Sequence, residues 1–223
     1  GVFGFGWAST RIPFTTKAVP FSPTNTTFNP RSVTLEWEPY TAGGAPPSDY
    51  TVNIETTNKY GAAVAYSMQT GGATNVTFTG LTPAQTASFT VQATVNTVLS
   101  GPSYPTVVTL NDDVPDPPDG VPTLSDLKSM SATANWNASY PNGRLVFRYH
   151  LMLSSSSQFV AATVNDTVNG ASTTKLIQDL EPNVDYQLRI AAENWLGIGP
   201  YSEALTIPTC TQEPPAPEPP NLA

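Results

Sequence analysis

The chain has 223 residues, a length that suits two domains of about 100 residues each. Its 9 Lys and Arg against 17 Asp and Glu give a net charge of -8, which excludes an electrostatic footprint for nucleic acid or an anionic membrane surface. One cysteine and one histidine exclude an internal disulfide framework and clustered Cys or His metal sites, and no apolar run is long enough to span a bilayer.

Taken in chain order, residues 1–17 repeat the spacing of a segment found near the other end. Gly4, Gly6, Ser9 and Thr16 stand apart as Gly197, Gly199, Ser202 and Thr209 do, so residues 1–17 are expected to be the final strand of a preceding domain. A lone strand leaves its backbone groups unpaired, so its order is expected to need a host sheet. From residue 18 apolar residues alternate with period two, in Val33, Leu35, Trp37, then Tyr50, Val52, Ile54, then Phe89, Val91, Ala93, which reads as half-buried strands. The glycine pairs Gly43-Gly44 and Gly71-Gly72 lie in turns between them. From Tyr60 to Asn111 there is no Asp, Glu, Lys, Arg or His, and outward positions such as Thr77, Thr90, Gln92 and Thr94 carry hydroxyls or amides instead. Exposed sheets ordinarily carry charges that discourage edge pairing, so this stretch is expected to contact another protein or a glycan coat.

The segment NDDVPDPPDG, Asn111 to Gly120, ends the first unit, since proline stops both helix and sheet while the acids keep a joint solvated. Asp112, Asp113, Asp116 and Asp119 offer hard oxygen ligands for a calcium ion, yet their spacing matches no calcium loop, and a solvated linker is the plainer reading. The second unit repeats the first at a shift of 99: Trp37 aligns with Trp136, Tyr50 with Tyr149, Leu81 with Leu180, Pro83 with Pro182 and Ala93 with Ala192. Its strands run through Ala132, Ala134, Trp136, through Phe147, Tyr149, Leu151, Leu153, and through Tyr186, Leu188, Ile190, Ala192. Asn142-Gly143 and Asn169-Gly170 read as two-residue hairpin turns. Asn142-Gly143-Arg144 also spells an integrin-type triplet, although the turn explains it. His150 alternates outward beside Tyr149 and reads as a surface residue. Cys210, just past the last strand, is a candidate for an interchain disulfide or a solitary thiol. Residues 211–223, rich in proline, are expected to lead into a following domain.

Each unit thus reads as a seven-stranded antiparallel sandwich. The run Leu180-x-Pro182-x-Val184-x-Tyr186-x-Leu188-x-Ile190-x-Ala192-x-Asn194, followed by Gly197-x-Gly199-Pro200-x-Ser202, resembles the back half of a fibronectin type III domain, and Trp136 and Tyr149 match that family as well. The first unit, residues 18–112, is similar but has Ala87 where the family has a corner tyrosine; the second spans residues 113–210. The resemblance implies an all-β, immunoglobulin-like fold and a non-enzymatic extracellular array with no cofactor, acting as spacer and protein contact module, with a surface filament or appendage as one setting. Its partners would be neighbouring domains or other subunits. A noncatalytic spacer in a secreted carbohydrate-active enzyme and a receptor ectodomain are the rival settings. Sequons at Asn25, Asn75, Asn137 and Asn165 are candidates for N-linked glycans, though composition alone predicts roughly three such motifs.

Overall fold

The computed structural model describes residues 19–42, 44–157, 159 and 164–209, all of them strand, turn or loop. Residues 1–17, Cys210 and 211–223 lie outside that set. The chain divides into two compact units, one running to Gly80 and resuming at Thr86–Thr109, the other formed by Leu81–Gln85 and Leu110 onward.

In the first unit β1 (Thr24–Asn29), β2 (Ser32–Glu36) and β5 (Asn75–Thr79) form one sheet in the order β1-β2-β5. β3 (Asp49–Thr57), β4 (Ala63–Gln69), β6 (Thr86–Val95), β7 (Val98–Leu99) and β8 (Thr106–Thr109) form the other, ordered β4-β3-β6-β7 with β8 also against β6. The second unit repeats this. β9 (Thr123–Ser125), β10 (Ala132–Asn135) and β13 (Thr174–Ile177) make its small sheet. β11 (Arg148–Ser154), β12 (Val164–Asn169), β14 (Asp185–Asn194), β15 (Gly197–Ile198) and β16 (Leu205–Pro208) make its large one. All pairings are antiparallel, and the 99-residue repeat reaches the ladder itself: Tyr50 faces Ala93 as Tyr149 faces Ala192.

The period-two pattern buries one face of each strand between the sheets. β6 alternates buried and half-buried over all but its first residue, with Ala87, Phe89, Val91 and Ala93 fully buried. At about 25 cal/mol per Å² such burial is the main stabilising term of each unit. Trp37 meets the edge of Tyr50 at 5.5 Å between ring centroids, and Trp136 meets Tyr149 at 5.4 Å. Each tyrosine hydroxyl then accepts a backbone N–H ten residues upstream, from Tyr40 at 2.8 Å and from Ser139 at 3.0 Å. Phe147, assigned to the core strand by its pattern, instead stands half-buried before β11 and packs on the exposed Trp195 at 5.0 Å.

Turn chemistry departs from expectation in one respect. Asn142 and Gly143 have φ of +51° and +92°, and Arg144 N–H reaches Pro141 O at 3.2 Å, the geometry of a primed turn. It connects strands of different sheets, β10 and β11, so it is no hairpin. Asn169-Gly170 likewise joins β12 to β13 across the two sheets, without positive φ at either residue. The hairpins lie elsewhere. Asn96 and Thr97, at φ +49° and +67°, turn β6 into β7, and Gly61 at φ +77° closes the connection from β3 to β4 with its N–H on Asn58 O at 2.9 Å.

The corner tyrosine is present only in the second unit. Tyr186 hydroxyl accepts Glu181 N–H at 3.1 Å, whereas Ala87 fills the matching place as a small buried residue. The first unit, produced alone, is therefore expected to be about 1–3 kcal/mol less stable than the second. Thermal melts of the separate units check this; a first unit melting well above the second contradicts it.

Candidate contact surface

The outward face of the first unit's large sheet is held together by neutral side chains. Asn53 Nδ2 donates to Gln92 Oε1 at 3.1 Å and lies 3.5 Å from Thr90 Oγ1, and Thr56 Oγ1 donates to Thr86 O at 3.1 Å. The stretch 60–111, uncharged in sequence, is not wholly so in space, because β3 runs between β4 and β6 and brings Asp49 and Glu55 with it. Asp49 is spoken for at its end of the sheet: Oδ1 accepts N–H groups from Tyr50 at 2.8 Å, Thr70 at 3.2 Å and Gly71 at 2.7 Å. Glu55 is exposed at the other.

At the same positions the second unit is charged. Thr90 and Thr94 correspond to Arg189 and Glu193, and Asp49 and Thr51 to Arg148 and His150. Glu193 Oε2 meets His150 Nε2 at 2.7 Å and Arg148 at 3.3 Å. His150 does project from the outer face, but its side chain is only 21% exposed, so it is a half-buried partner of Glu193 and not a free surface histidine.

The neutral region is purest along β4, AVAYSMQ, which pairs with β3 and, among the described residues, with no other strand. Tyr66 and Met68 overhang this edge at 40% and 38% exposure, Tyr66 resting edge-on against Phe78 at 5.9 Å. Partial burial holds the Tyr66 phenol above its ordinary pKa. The matching edge strand β12 carries a charge. Asp166 stands opposite Leu151, as Met68 stands opposite Val52, and bridges to Lys175 at 2.6 Å.

The Lys175 hydrogen bond is the main reason Asp166 sits below its ordinary value of 3.8. A depressed carboxyl stabilises the fold above that value and ceases to do so as the pH falls through it, because the unfolded chain takes up the proton first. Both groups are largely solvated, so Lys175→Met is expected to cost only about 0.2–1 kcal/mol at pH 7. Melts of wild type and variant are expected to converge towards pH 3; a gap that does not narrow on acidification contradicts the assignment.

The acidic linker is docked, not loose. Asp113 N–H reaches Asn142 O and Asp116 N–H reaches Tyr140 O, each at 3.0 Å. Asn142, fully buried, donates through Nδ2 to Val114 O at 2.7 Å and to Asp116 Oδ1 at 2.9 Å. Asn194, 1% exposed, donates to Asp113 O at 2.8 Å and Pro141 O at 3.3 Å. Asp112 pairs with Arg144 at 2.5 Å, and Asp113 Oδ1 accepts Val114 N–H at 2.9 Å. These partners draw the carboxylates apart, and among the described residues no three His, Cys, Asp or Glu come together to hold a metal. Arg144 is thereby tied back to the linker, so the Asn142-Gly143-Arg144 triplet is a structural turn. Gly199 sits against the linker so closely that a Cβ there would strike the Pro115 carbonyl. In sequence Asn142 was visible only as a turn residue and Asn194 only as the end of the alternating run from Leu180, neither of them as a linker anchor.

Of the sequons, Asn75 is exposed on β5, the edge of the small sheet. Asn137 is exposed and donates Nδ2 to Asp119 O at 2.9 Å. Asn25 and Asn165 lie on β1 and β12, paired with Leu35 and Met152. The buried indole N–H groups of Trp37 and Trp136 lack a partner among the described residues at the same place in both units, a trait of the fold rather than of a ligand site.

The fibronectin type III domain model matches residues 20–109 and 116–208. The mouse fibronectin type-III domain-containing protein 3A is 29% identical over 153 residues, 64% of this chain and 12% of that protein. Chicken smooth muscle myosin light chain kinase is 36% identical over 92 residues, 41% of this chain and 5% of its own. This chain thus spans a small fraction of those relatives. A two-domain fibronectin type III segment of chicken tenascin is similar over 85% of this chain and 99% of its own, at 19% identity and a TM-score of 0.41. With both units matched along nearly their whole length, the chain belongs to the fibronectin type III family.

Proposed function

We propose that this chain is a non-enzymatic segment of a longer extracellular array, in which sandwich units set spacing and the first unit makes protein contacts. The observation that carries this reading is the contrast between units. One scaffold presents charges at Arg189 and Glu193 in the second unit and hydroxyls at Thr90 and Thr94 in the first. A sheet face whose outer positions are mostly neutral suits close contact with protein, since few ions have to be desolvated on docking. The docked linker favours a spacer role, because it ties the entry to the second unit at several main-chain points. In this reading Asn75 and Asn137, both exposed, carry glycans, with Asn25 and Asn165 as further candidates. The Asn137 glycan would replace its bond to Asp119. Cys210, outside the described residues, is a candidate for a disulfide to a neighbouring chain or for a solitary thiol.

Intact-mass and glycopeptide analysis of the native protein tests the proposal. Further repeats of about 100 residues and glycan mass on Asn75 or Asn137 are the expected result. A native protein with no further repeats and bare asparagines at both positions overturns it. The match to a muscle kinase segment favours a second reading, an array inside the cell, for which bare sequons with further repeats would be the outcome.

A further inference from the structure

The free edge of β4 has an alternating structure that can be worked out from its ladder. Thr70 N–H bonds to Tyr50 O at 3.0 Å and Asn58 N–H to Ala62 O at 2.9 Å, continuing the β3–β4 register at both ends. In an antiparallel ladder the residues that exchange hydrogen bonds alternate with those that do not. Val64, Tyr66 and Met68 therefore turn their N–H and C=O groups towards β3, and Ala63, Ala65, Ser67 and Gln69 turn theirs outward. None of these seven residues is charged or proline, and the β3–β4 register runs without a bulge. The devices that ordinarily protect a sheet edge are missing here, while β12 in the second unit has one in its inward Asp166.

We propose that β4 pairs antiparallel with β4 of a second copy of this chain, about a two-fold axis at Tyr66, joining two five-stranded sheets into one of ten strands. One feature selects a second copy as the occupant and another selects its place. A strand centred on one residue is self-complementary: Ala63 meets Gln69 and Ala65 meets Ser67 of the other copy, which supplies about eight main-chain hydrogen bonds. Charge also selects the place. Two molecules of net charge -8 repel one another, and β4 lies within the 60–111 stretch that contributes nothing to that charge. The overhanging Tyr66 rings come side by side at the axis, with Val64 facing Met68, and cover apolar surface now exposed. An edge this short buries less than a standard interface, so the association is weak and reversible.

This inference rests on the reading of the first unit as a contact module but is tested apart from it, on the recombinant chain. Sedimentation from about 10 µM to 1 mM is expected to show a reversible dimer. Hydrogen exchange over the same range is expected to show protection of Ala63, Ala65, Ser67 and Gln69 rising with concentration, while Val64, Tyr66 and Met68 are protected throughout. Ser67→Pro removes an N–H that points away from β3, which an edge strand tolerates, and is expected to weaken dimerisation at least tenfold. Met68→Asp, copying the charge found in β12, is expected to do the same. A monomer at all concentrations, variants that associate like wild type, or outward amides protected even at the lowest concentration would each overturn the proposal. The last would mean that the chain covers this edge itself. None of those outcomes touches the repeats or glycans on which the array reading depends.

Discussion

Trp136→Ala is expected to unfold the second unit at temperatures where the wild type is fully native. The indole is 6% exposed and packs edge-on with Tyr149, while the main-chain N–H of Trp136 continues the ladder to Thr173 O at 3.0 Å. Removing a buried Trp leaves a cavity that close-packed strands cannot collapse into, at about 3–5 kcal/mol. A domain of this size has only about 5–15 kcal/mol in hand. The midpoint is expected to fall by roughly 15–30 °C, read by calorimetry of the intact chain. The first unit has its own core around Trp37 and Tyr50, so its transition is expected to stay in place. A fall of only a few degrees in the second transition would show that the Trp136–Tyr149 contact is not central to the core.

Asn194→Ala is expected to have the second largest effect, and it acts where no strand is broken. One side chain serves three backbone groups: it donates to Asp113 O and Pro141 O, and its Oδ1 accepts Leu196 N–H at 2.9 Å. Alanine leaves those groups buried and unmatched, at about 1–3 kcal/mol for each that water cannot reach, so a total near 3 kcal/mol is expected. The linker loses one of its two asparagine anchors as well. Digestion by a protease that cuts at aspartate is expected to cleave between Asp112 and Asp119 several-fold faster in the variant. Equal cleavage rates, with stability unchanged, would mean that Asn142 alone holds the linker.

The sandwich was legible because two local rules coincide in this chain. A period of two buries Val33, Leu35, Trp37 and their counterparts whatever the tertiary detail, and a repeat at a constant shift of 99 shows the same pattern twice. Turn type was only half legible. Asn142-Gly143 does adopt positive φ, as its chemistry dictates, but whether the strands beside a turn share a sheet depends on packing that a dipeptide does not encode. The contact surface was harder still. Charge-free sequence from Tyr60 to Asn111 says nothing of β3 threading between β4 and β6, which puts Glu55 in the midst of it. The docking of the linker was hidden because composition reports solvation by default: four aspartates and three prolines between Asn111 and Gly120 resemble a loose joint until two distant asparagines close on its carbonyls.

The way the linker is held determines what evolution can do with it. Its anchor points are almost all main-chain atoms: Asp113 N–H and O, Val114 O and Asp116 N–H, with the Asp116 carboxylate as the one side chain gripped by an asparagine. The grip therefore hardly reads sequence. Substitutions at the half-buried Val114 and Pro117 can alter the hydropathy of the joint while Asn142, Asn194 and Gly199 keep its path, so the seam between tandem repeats can diverge without rebuilding the sandwich it enters.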